Sequence, residues 1–321
     1  MDMDRLITAI MEKQNPTALG LDTRLEYVPQ ALREKFNEKG NSFESCARII
    51  FNYNQLLIDA LCDIVPCVKV QLAYYEMYSY AGIKAFYDTC AYAKASGMYV
   101  IADGKRNDIG ATAEAYSAAY LGRTGLSGGS LDGAFACDCL TINGYLGSDG
   151  ILPFKNNCSQ YNKTAFVLVK TSNPSSGELQ DLILEDGRRV YEAMADMVQQ
   201  WGEGNIGAYG YSNIGAVVGA TYKEQAARLR EKYKNMFFLI PGYGAQGAGC
   251  EDIEVCFDSR GLGGIVNNSR GLLCAYKKPE YSNLEPEEAA RREAERMRED
   301  IVSCLKRHNK WACGGMGVQN A

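Results

Sequence analysis

Eight short runs rich in β-forming residues recur along the chain, and each is followed by a helical pattern or a loop. The runs are mostly apolar without strict alternation, which is typical of parallel strands buried on both faces. Strands that alternate with helices favour βα units, and eight such units suit a closed barrel. We therefore predict an α/β fold, a single (β/α)8 TIM barrel, with strands at Thr17–Leu21, Pro66–Val70, Met98–Ala102, Ala136–Ile142, Ala165–Val169, Ile214–Gly219, Phe237–Ile240 and Gly264–Val266.

Helical patterns near both ends of the chain are expected to pack on this barrel. A short amphipathic pattern opens the chain, and a longer helix is predicted over Asn41–Ile64, with Asn41 and Glu44 forming a capping box. A second long helix is predicted over Glu285–His308, with Pro286 near its first position. The intervening segment Gly147–Lys163 has no predicted role beyond surface elaboration.

Composition narrows the class of protein. The chain has 321 residues and a net charge of -5, without a basic stripe, so we expect no nucleic-acid partner. No apolar run approaches the ~20 residues of a membrane span, and the twelve scattered cysteines are expected to be reduced, so we predict a cytoplasmic protein. No repeat or linker divides the chain, which predicts one domain over 1–321, with its core at about 14–310 and a frayed tail at 311–321.

The single histidine, His308, limits the available chemistry. It lies near the end of the predicted C-terminal helix, where a cation suits the helix dipole. A Ser-His-Asp triad, a Cys-His dyad in the core and a His-rich metal site are therefore disfavoured. Acid–base chemistry is left to lysine, aspartate, glutamate or tyrosine.

Charged side chains follow the second and third predicted strands. Asp103 ends the third strand, and Lys105 lies one alternation further on the same side, while Asp108 and Thr112 open the next helix. Lys69 interrupts the apolar second strand. Because an unpaired buried ammonium is costly, we expect Asp103 to be its partner. The carboxyl ends of parallel strands carry the chemistry of α/β folds, so these are candidate catalytic residues.

Glycine-rich turns follow the seventh and eighth strands and indicate a phosphate site. The seventh strand runs into Pro241–Gly247, which includes Gln246, and the eighth runs into a turn that contains Arg270. In (β/α)8 enzymes these two loops often bind phosphate through backbone N–H groups and a cation. The turn after the fifth strand, Thr171–Gly177, suits hydrogen bonding to a flat polar ligand and an ordinary turn equally well.

Together these motifs resemble the orotidine 5'-phosphate decarboxylase family, in its longer bacterial branch. Two departures are Gly144, where the family pattern has proline, and Tyr243, which is larger than a phosphate loop requires; both bear on loop mobility. The resemblance covers nearly the whole chain and rests on Ala18–Asp22, Lys69, Asp103–Ile109, Leu140–Gly147, Thr171–Pro174, Pro241–Gly247 and Asn268–Gly271.

The resemblance implies decarboxylation of orotidine 5'-monophosphate to uridine 5'-monophosphate, the last step of de novo pyrimidine nucleotide synthesis, without a metal or an organic cofactor. It also implies a homodimer in which Lys69, Asp103 and Lys105 of one chain meet Asp108 of the other. Lys105 would stabilise and protonate the ring carbanion, with Asp103 positioning it. The other implied substrate contacts are Asp22 and Thr112 to the ribose, Ser172 to the pyrimidine, and Gln246 and Arg270 to the phosphate.

Three alternatives are open at this stage. The first is a magnesium-dependent decarboxylase or aldolase for sugar phosphates on the same fold, which Lys69 disfavours because a metal-binding glutamate is expected there. The second is a non-catalytic nucleotide sensor, although the charged set is complete. The third is an NAD-dependent oxidoreductase, because Gly242–Gly247 satisfies G-x-G-x-x-G, although no βαβ unit with an acidic residue about twenty positions on follows.

Overall fold

The predicted strands close into one parallel barrel. The computed structural model describes residues 2–37, 40–244 and 247–311. Its strands are β1 Thr17–Leu21, β2 Cys67–Gln71, β3 Tyr99–Arg106, β4 Arg123–Leu126, β5 Gly129–Asp132, β6 Cys139–Ile142, β7 Thr164–Lys170, β8 Ile214–Val218, β9 Phe238–Ile240 and β10 Gly264–Asn268. All except β4 and β5 form a closed barrel in the order β1-β2-β3-β6-β7-β8-β9-β10. The (β/α)8 fold is thus confirmed.

Helices surround the barrel and follow its strands along the chain. No helix in the described ranges is long and apolar enough to cross a membrane. The helices are α1 Asp2–Lys13, α2 Gln30–Phe36, α3 Phe43–Leu61, α4 Ala73–Glu76, α5 Ser79–Ala95, α6 Gly110–Tyr120, α7 Ser148–Gln160, α8 Gly177–Gln180, α9 Val190–Gly202, α10 Lys223–Lys232, α11 Cys250–Ile253, α12 Arg270–Leu273 and α13 Pro286–Arg307.

Both terminal helices pack on the barrel, as predicted. Helix α1 contributes Met3 and Ile7 to an apolar cluster inside the barrel, which also contains Tyr99 and Phe237. Helix α13 begins at Pro286 and buries the predicted apolar stripe, which consists of Ala290, Ala294, Met297, Ile301 and Leu305. Of the predicted frayed tail, Trp311 packs against the core, and the rest lies outside the described residues.

Three local predictions were wrong or incomplete. Helix α3 is capped by Ser42, whose Oγ accepts a hydrogen bond from the Ser45 amide at 3.2 Å, and the carboxylate of Glu44 accepts one from Tyr80 instead of closing a capping box. The segment Gly147–Lys163 is not surface elaboration. It contains α7, the barrel helix that follows β6 and packs against α6 and α9. The antiparallel pair β4–β5 was not predicted, because its exposed residues show no alternation of apolar side chains.

Alternation along the barrel strands positions the charged residues. Cys67, Ile101 and Cys139 belong to the apolar cluster inside the barrel, at its amino-terminal end. Two residues further along the same strands, Lys69, Asp103 and Thr141 follow on the same face and line a cavity at the carboxyl end. Strand periodicity and barrel closure therefore bring three polar side chains together above an apolar layer.

Candidate active site

A cavity of about 700 Å³ opens at the carboxyl ends of the barrel strands. Its walls come from the strand ends and the loops that follow them. Four of the residues proposed from the sequence for one chain's site lie in its charged part, namely Asp22, Lys69, Asp103 and Lys105. Ser172 and Arg270 also line it.

The charged side chains form an alternating array. Lys69 Nζ lies 2.9 Å from Asp22 Oδ1 and 2.9 Å from Asp103 Oδ2, and Lys105 Nζ lies 2.6 Å from Asp103 Oδ1. The predicted pairing of Lys69 with Asp103 is confirmed, and Asp22 is a second partner that was not anticipated. Each interior charge thus has an opposite charge on both sides, which holds the array in one arrangement.

Asp103 accepts four hydrogen bonds. Its Oδ1 accepts from Lys105 Nζ and, at 2.7 Å, from Thr141 Oγ1, while its Oδ2 accepts from Lys69 Nζ and, at 2.9 Å, from Gln71 Nε2. Burial alone would raise the pKa of Asp103, but Lys69 and Lys105 outweigh it and hold the pKa well below its usual range. The carboxylate is therefore ionised and fixed in orientation.

Lys69 is the buried centre of the array. Its side chain is 5% exposed, and burial opposes the charged form. The carboxylates of Asp103 and Asp22 overcome that effect and raise the pKa of Lys69 above its ordinary value. Lys69 is a permanent ammonium group that fixes both carboxylates.

Lys105 is the more accessible ammonium group. Its side chain is 45% exposed, and its backbone has φ of +47°, in the left-handed region that L-residues rarely adopt. The pairing of β3 with β6 shifts register between Ala102 and Arg106, so an irregularity in the strand accompanies this conformation. The Lys105 amide donates to Thr141 Oγ1 at 3.0 Å. The strand end is thus shaped to present the Lys105 side chain to the cavity.

Two hydrogen-bonding residues of the array were missed at the level of sequence. Gln71 and Thr141 both donate hydrogen bonds to Asp103. Gln71 lies two residues beyond Lys69 on β2, and Thr141 lies two residues beyond Cys139 of the apolar interior layer on β6. Their signal was present in the strand period, because inward-facing positions recur every second residue.

Glycine turns and Arg270 form another wall of the cavity. Arg270 begins α12 directly after β10, and Gly242 lies at the end of β9 with φ of +107°, a conformation that favours glycine. Pro241, Gly242 and Arg270 all line the cavity. Gln246, the other predicted phosphate contact, lies outside the described residues. The following helix α11 has four residues, so this glycine motif does not open a dinucleotide-binding βαβ unit.

The structure accounts for both departures from the family pattern. Tyr243 is buried, and its hydroxyl donates to Asp300 Oδ2 of α13 at 2.5 Å, so the large side chain ties the loop after β9 to the C-terminal helix. Gly144 has little space around it. A Cβ atom added there would lie 2.6 Å from Met194 Sδ and 3.1 Å from Val167 Cγ1. Close packing therefore suits glycine at position 144.

A buried lysine supports the loop that carries Ser172. Lys170 ends β7 with no exposed surface, and its Nζ donates to Asp181 Oδ2 at 2.9 Å and to Ser176 Oγ at 3.2 Å. The ring of Tyr222 lies 4.2 Å from the same ammonium group. The loop between Lys170 and Asp181 contributes much of one cavity wall. Its lining residues are Thr171, Ser172, Asn173, Ser175, Ser176, Leu179 and Gln180.

Asp108 and Thr112 do not line the cavity of their own chain. Asp108 precedes α6, where its Oδ1 accepts from the Ile109 amide at 2.8 Å, and Thr112 is exposed on the first turn of that helix. The array seen in one chain is thus Asp22–Lys69–Asp103–Lys105, without Asp108.

A closed (β/α)8 barrel with a charged cavity at the carboxyl ends of its strands has the architecture of a barrel enzyme. The chain belongs to the Orotidine 5'-phosphate decarboxylase / HUMPS family, whose model matches residues 54–279. It is 46% identical over 283 residues to the orotidine 5'-phosphate decarboxylase of Caldicellulosiruptor saccharolyticus, covering 88% of this chain and 92% of the relative. It is 41% identical over 305 residues to that of Clostridium acetobutylicum, covering 95% and 100%.

Solved structures agree with this membership. The OMP decarboxylase of Leishmania donovani is 25% identical with a TM-score of 0.71, and the match covers 94% of this chain and 98% of that one. The orotidine 5'-monophosphate decarboxylase of Plasmodium berghei shares the fold, with a TM-score of 0.74 at 18% identity over 95% of this chain and 98% of that one.

Proposed function

We propose that this protein decarboxylates orotidine 5'-monophosphate to uridine 5'-monophosphate, the last step of de novo pyrimidine nucleotide synthesis. The observation that carries the proposal is the array in which Asp103 is held between Lys69 and Lys105 at the end of a barrel cavity. Relatives that are 46% and 41% identical bear the name of this enzyme and align over most of the chain. The eleven described cysteines are free, which suits the reducing cytoplasm in which we expect the enzyme to act.

The array suits the reaction for an electrostatic reason. Cleavage of the bond between ring carbon 6 and the carboxylate releases carbon dioxide and leaves the electron pair on that carbon. The ring delocalises this in-plane pair poorly, so a fixed positive charge beside it lowers the barrier. In the proposed mechanism the exposed ammonium of Lys105 supplies that charge and then transfers a proton to carbon 6. Asp103 positions Lys105, and Lys69 holds Asp103.

The rest of the cavity would bind the substrate away from the reacting carbon. Arg270, with Gln246, would bind the phosphate, because a guanidinium group can donate two parallel hydrogen bonds to its oxygens. Ser172 would contact the pyrimidine, and Asp22 the ribose. Binding energy from the distant phosphate would then serve to order the loops around the ring and raise the rate.

We further propose a homodimer in which Asp108 and Thr112 complete the partner's site. The support is that neither residue lines its own cavity, while two large apolar side chains are exposed on the surface beside them. Ile109 and Leu152 line one surface groove and are 55% and 42% exposed. A second copy of the chain would cover both apolar side chains and would meet the polar residues that line the rest of the groove.

The magnesium-dependent alternative on the same fold is not favoured by the donor set. Lys69 Nζ occupies the space between the carboxylates of Asp22 and Asp103, at 2.9 Å from each. A hard divalent cation needs several oxygen ligands around it, and a permanent ammonium group in their midst repels it. These residues therefore do not fit a magnesium ion.

The test is the ultraviolet absorbance of orotidine 5'-monophosphate mixed with the purified protein in excess EDTA. We expect the substrate band to disappear and uridine 5'-monophosphate to form, and we expect the Lys105→Ala variant to bind the product but not to catalyse. Turnover of a sugar phosphate that requires added magnesium, with none of the nucleotide, would contradict the proposal. An active Lys105→Ala variant would overturn the role of Lys105.

A further inference from the structure

A second cluster of reactive side chains lies outside the cavity. Among the described residues, one group of three cysteine, histidine or acidic side chains brings its potential ligand atoms within 4.8 Å of one another, and it consists of Cys250, Glu251 and Cys304. Cys250 and Glu251 begin α11, directly after the loop that follows β9. Cys304 lies in the last turns of α13 and is buried. None of the three lines the catalytic cavity.

His308 lies beside Glu251 and is a candidate fourth ligand, although its ring nitrogens do not lie within 4.8 Å of all three ligand atoms of the cluster. Its Nε2 lies 2.8 Å from Glu251 Oε2, and it follows Cys304 by four residues, which places both side chains on one face at the end of α13. The cluster therefore combines two thiols, a carboxylate and an imidazole from two separate elements.

This ligand set is that of a tetrahedral zinc ion. Zinc binds cysteine sulfur, histidine nitrogen and carboxylate oxygen at about 2.0–2.3 Å, so its ligand atoms lie about 3.3–3.8 Å apart. The ligand atoms of Cys250, Glu251 and Cys304 are already within 4.8 Å of one another and need only small side-chain movements to reach that spacing, whereas the His308 ring must turn from Glu251 towards the thiols. Thiolate ligands select zinc over magnesium or calcium. We propose that Cys250, Glu251, Cys304 and His308 bind one zinc ion.

Arg307 contributes to the electrostatics of this zinc site. Its guanidinium group lies 2.6 Å from Glu251 Oε1 and 4.0 Å from Cys250 Sγ. Two thiolates and one carboxylate carry more negative charge than a divalent ion neutralises, and the adjacent Arg307 offsets the remainder. Glu251 needs only one carboxylate oxygen for the metal, so its ion pair with Arg307 can persist.

The position of the zinc site gives it a structural consequence. Cys250 begins α11, directly after the loop that contains Gly242 and Tyr243, and Cys304 belongs to α13. A bound ion would thus join this loop to the C-terminal helix, as the hydrogen bond from Tyr243 to Asp300 does at the other end of the loop. Binding to the folded state alone would raise the melting temperature.

The experiment uses the full chain, reduced and stripped of metal, titrated with Co²⁺ as a spectroscopic probe and then with Zn²⁺. We expect one equivalent of Co²⁺ to give thiolate charge-transfer bands and the visible bands of a tetrahedral ion, both abolished by one equivalent of Zn²⁺. Cys250→Ser and Glu251→Gln should weaken binding about a hundred-fold or more, and Cys304→Ser likewise. Cys46→Ser is the matched control and should bind as the parent does.

The proposal is overturned if the parent shows no thiolate-to-cobalt band, or if the Cys250→Ser variant keeps it unchanged. Because Cys304 is buried, its variant is interpreted only if its circular dichroism matches the parent. Cys250 is half-buried and Glu251 is exposed, so we expect both of their variants to fold and to test the site even if Cys304→Ser does not fold. None of these readouts involves decarboxylation, so the zinc site and the proposed reaction can fail independently.

Discussion

Lys170 Nζ lies 2.9 Å from Asp181 Oδ2, although the lysine side chain has no exposed surface. The pair spans the base of the loop that carries Ser172 and Ser175 into the cavity. A charge at this depth is tolerated only because a carboxylate, a hydroxyl and an aromatic face surround it.

Replacing Lys170 by methionine should therefore affect both stability and substrate binding. We expect a loss of about 1 to 3 kcal/mol in the free energy of unfolding, because the half-buried Asp181 loses its partner, and a higher KM for orotidine 5'-monophosphate, because the loop loses its support. Urea denaturation and steady-state kinetics measure the two effects. The control is Lys84→Met, which breaks an exposed ion pair with Asp88 and should change little. Equal effects of both variants would contradict the supporting role.

The depressed pKa of Asp103 predicts how the array responds to pH. A group whose pKa is lower in the folded state contributes stability above its unfolded pKa, about 3.9, and loses that contribution as the pH falls through the folded value. The parent should thus exceed Asp103→Asn in stability at pH 7, and the difference should shrink on acidification below about pH 4. The measurement is a set of denaturant unfolding curves of both proteins, recorded from pH 2 to 7 at intervals of about one pH unit. A constant difference would contradict the ionised state of Asp103.

Arg270→Ala should harm the whole nucleotide more than a substrate without phosphate. We expect kcat/KM for orotidine 5'-monophosphate to fall by roughly ten- to a hundred-fold, since a hydrogen bond to a charged group is lost, and kcat/KM for orotidine to stay nearly constant. Arg292→Ala, on the exposed side of α13, is the matched control. Equal losses on both substrates would exclude phosphate binding by Arg270.

The shared site can be tested by mixing two inactive variants. If Asp108 acts across the interface, a heterodimer of Lys105→Ala and Asp108→Ala chains regains one complete site. Random exchange of subunits at equal concentrations would then restore about a quarter of the parent activity. Each variant alone supplies the control. No recovery, after an affinity tag on one variant has co-purified the other and so shown that subunits exchange, would place Asp108 in its own chain's site or outside catalysis.

The barrel could be predicted from sequence because buried parallel strands are short apolar runs at regular spacing. All eight predicted barrel strands overlap those of the structure, although β6 begins at Cys139 rather than Ala136. Helix ends depend on single hydrogen bonds, and the choice between Asn41 and Ser42 as the cap of α3 required coordinates.

The part of the site that lies on one strand could be predicted from the sequence, whereas not every contact between strands could. Asp103 and Lys105 are two residues apart on one strand, so local periodicity placed them together. The contact between Asp22 and Lys69 joins neighbouring strands whose relative register no local pattern reports. Lys170 was not singled out from the sequence, because its partner Asp181 lies eleven residues away across an irregular loop.

The left-handed backbone of Lys105 has a consequence for how this chain can change over time. A non-glycine residue held in that region costs of order 1 kcal/mol or more, and asparagine or glycine would relieve it. If selection for catalysis were lifted, such replacements would increase the stability of the folded protein while its activity is lost. Catalysis thus keeps a lysine at a position whose backbone conformation favours another residue.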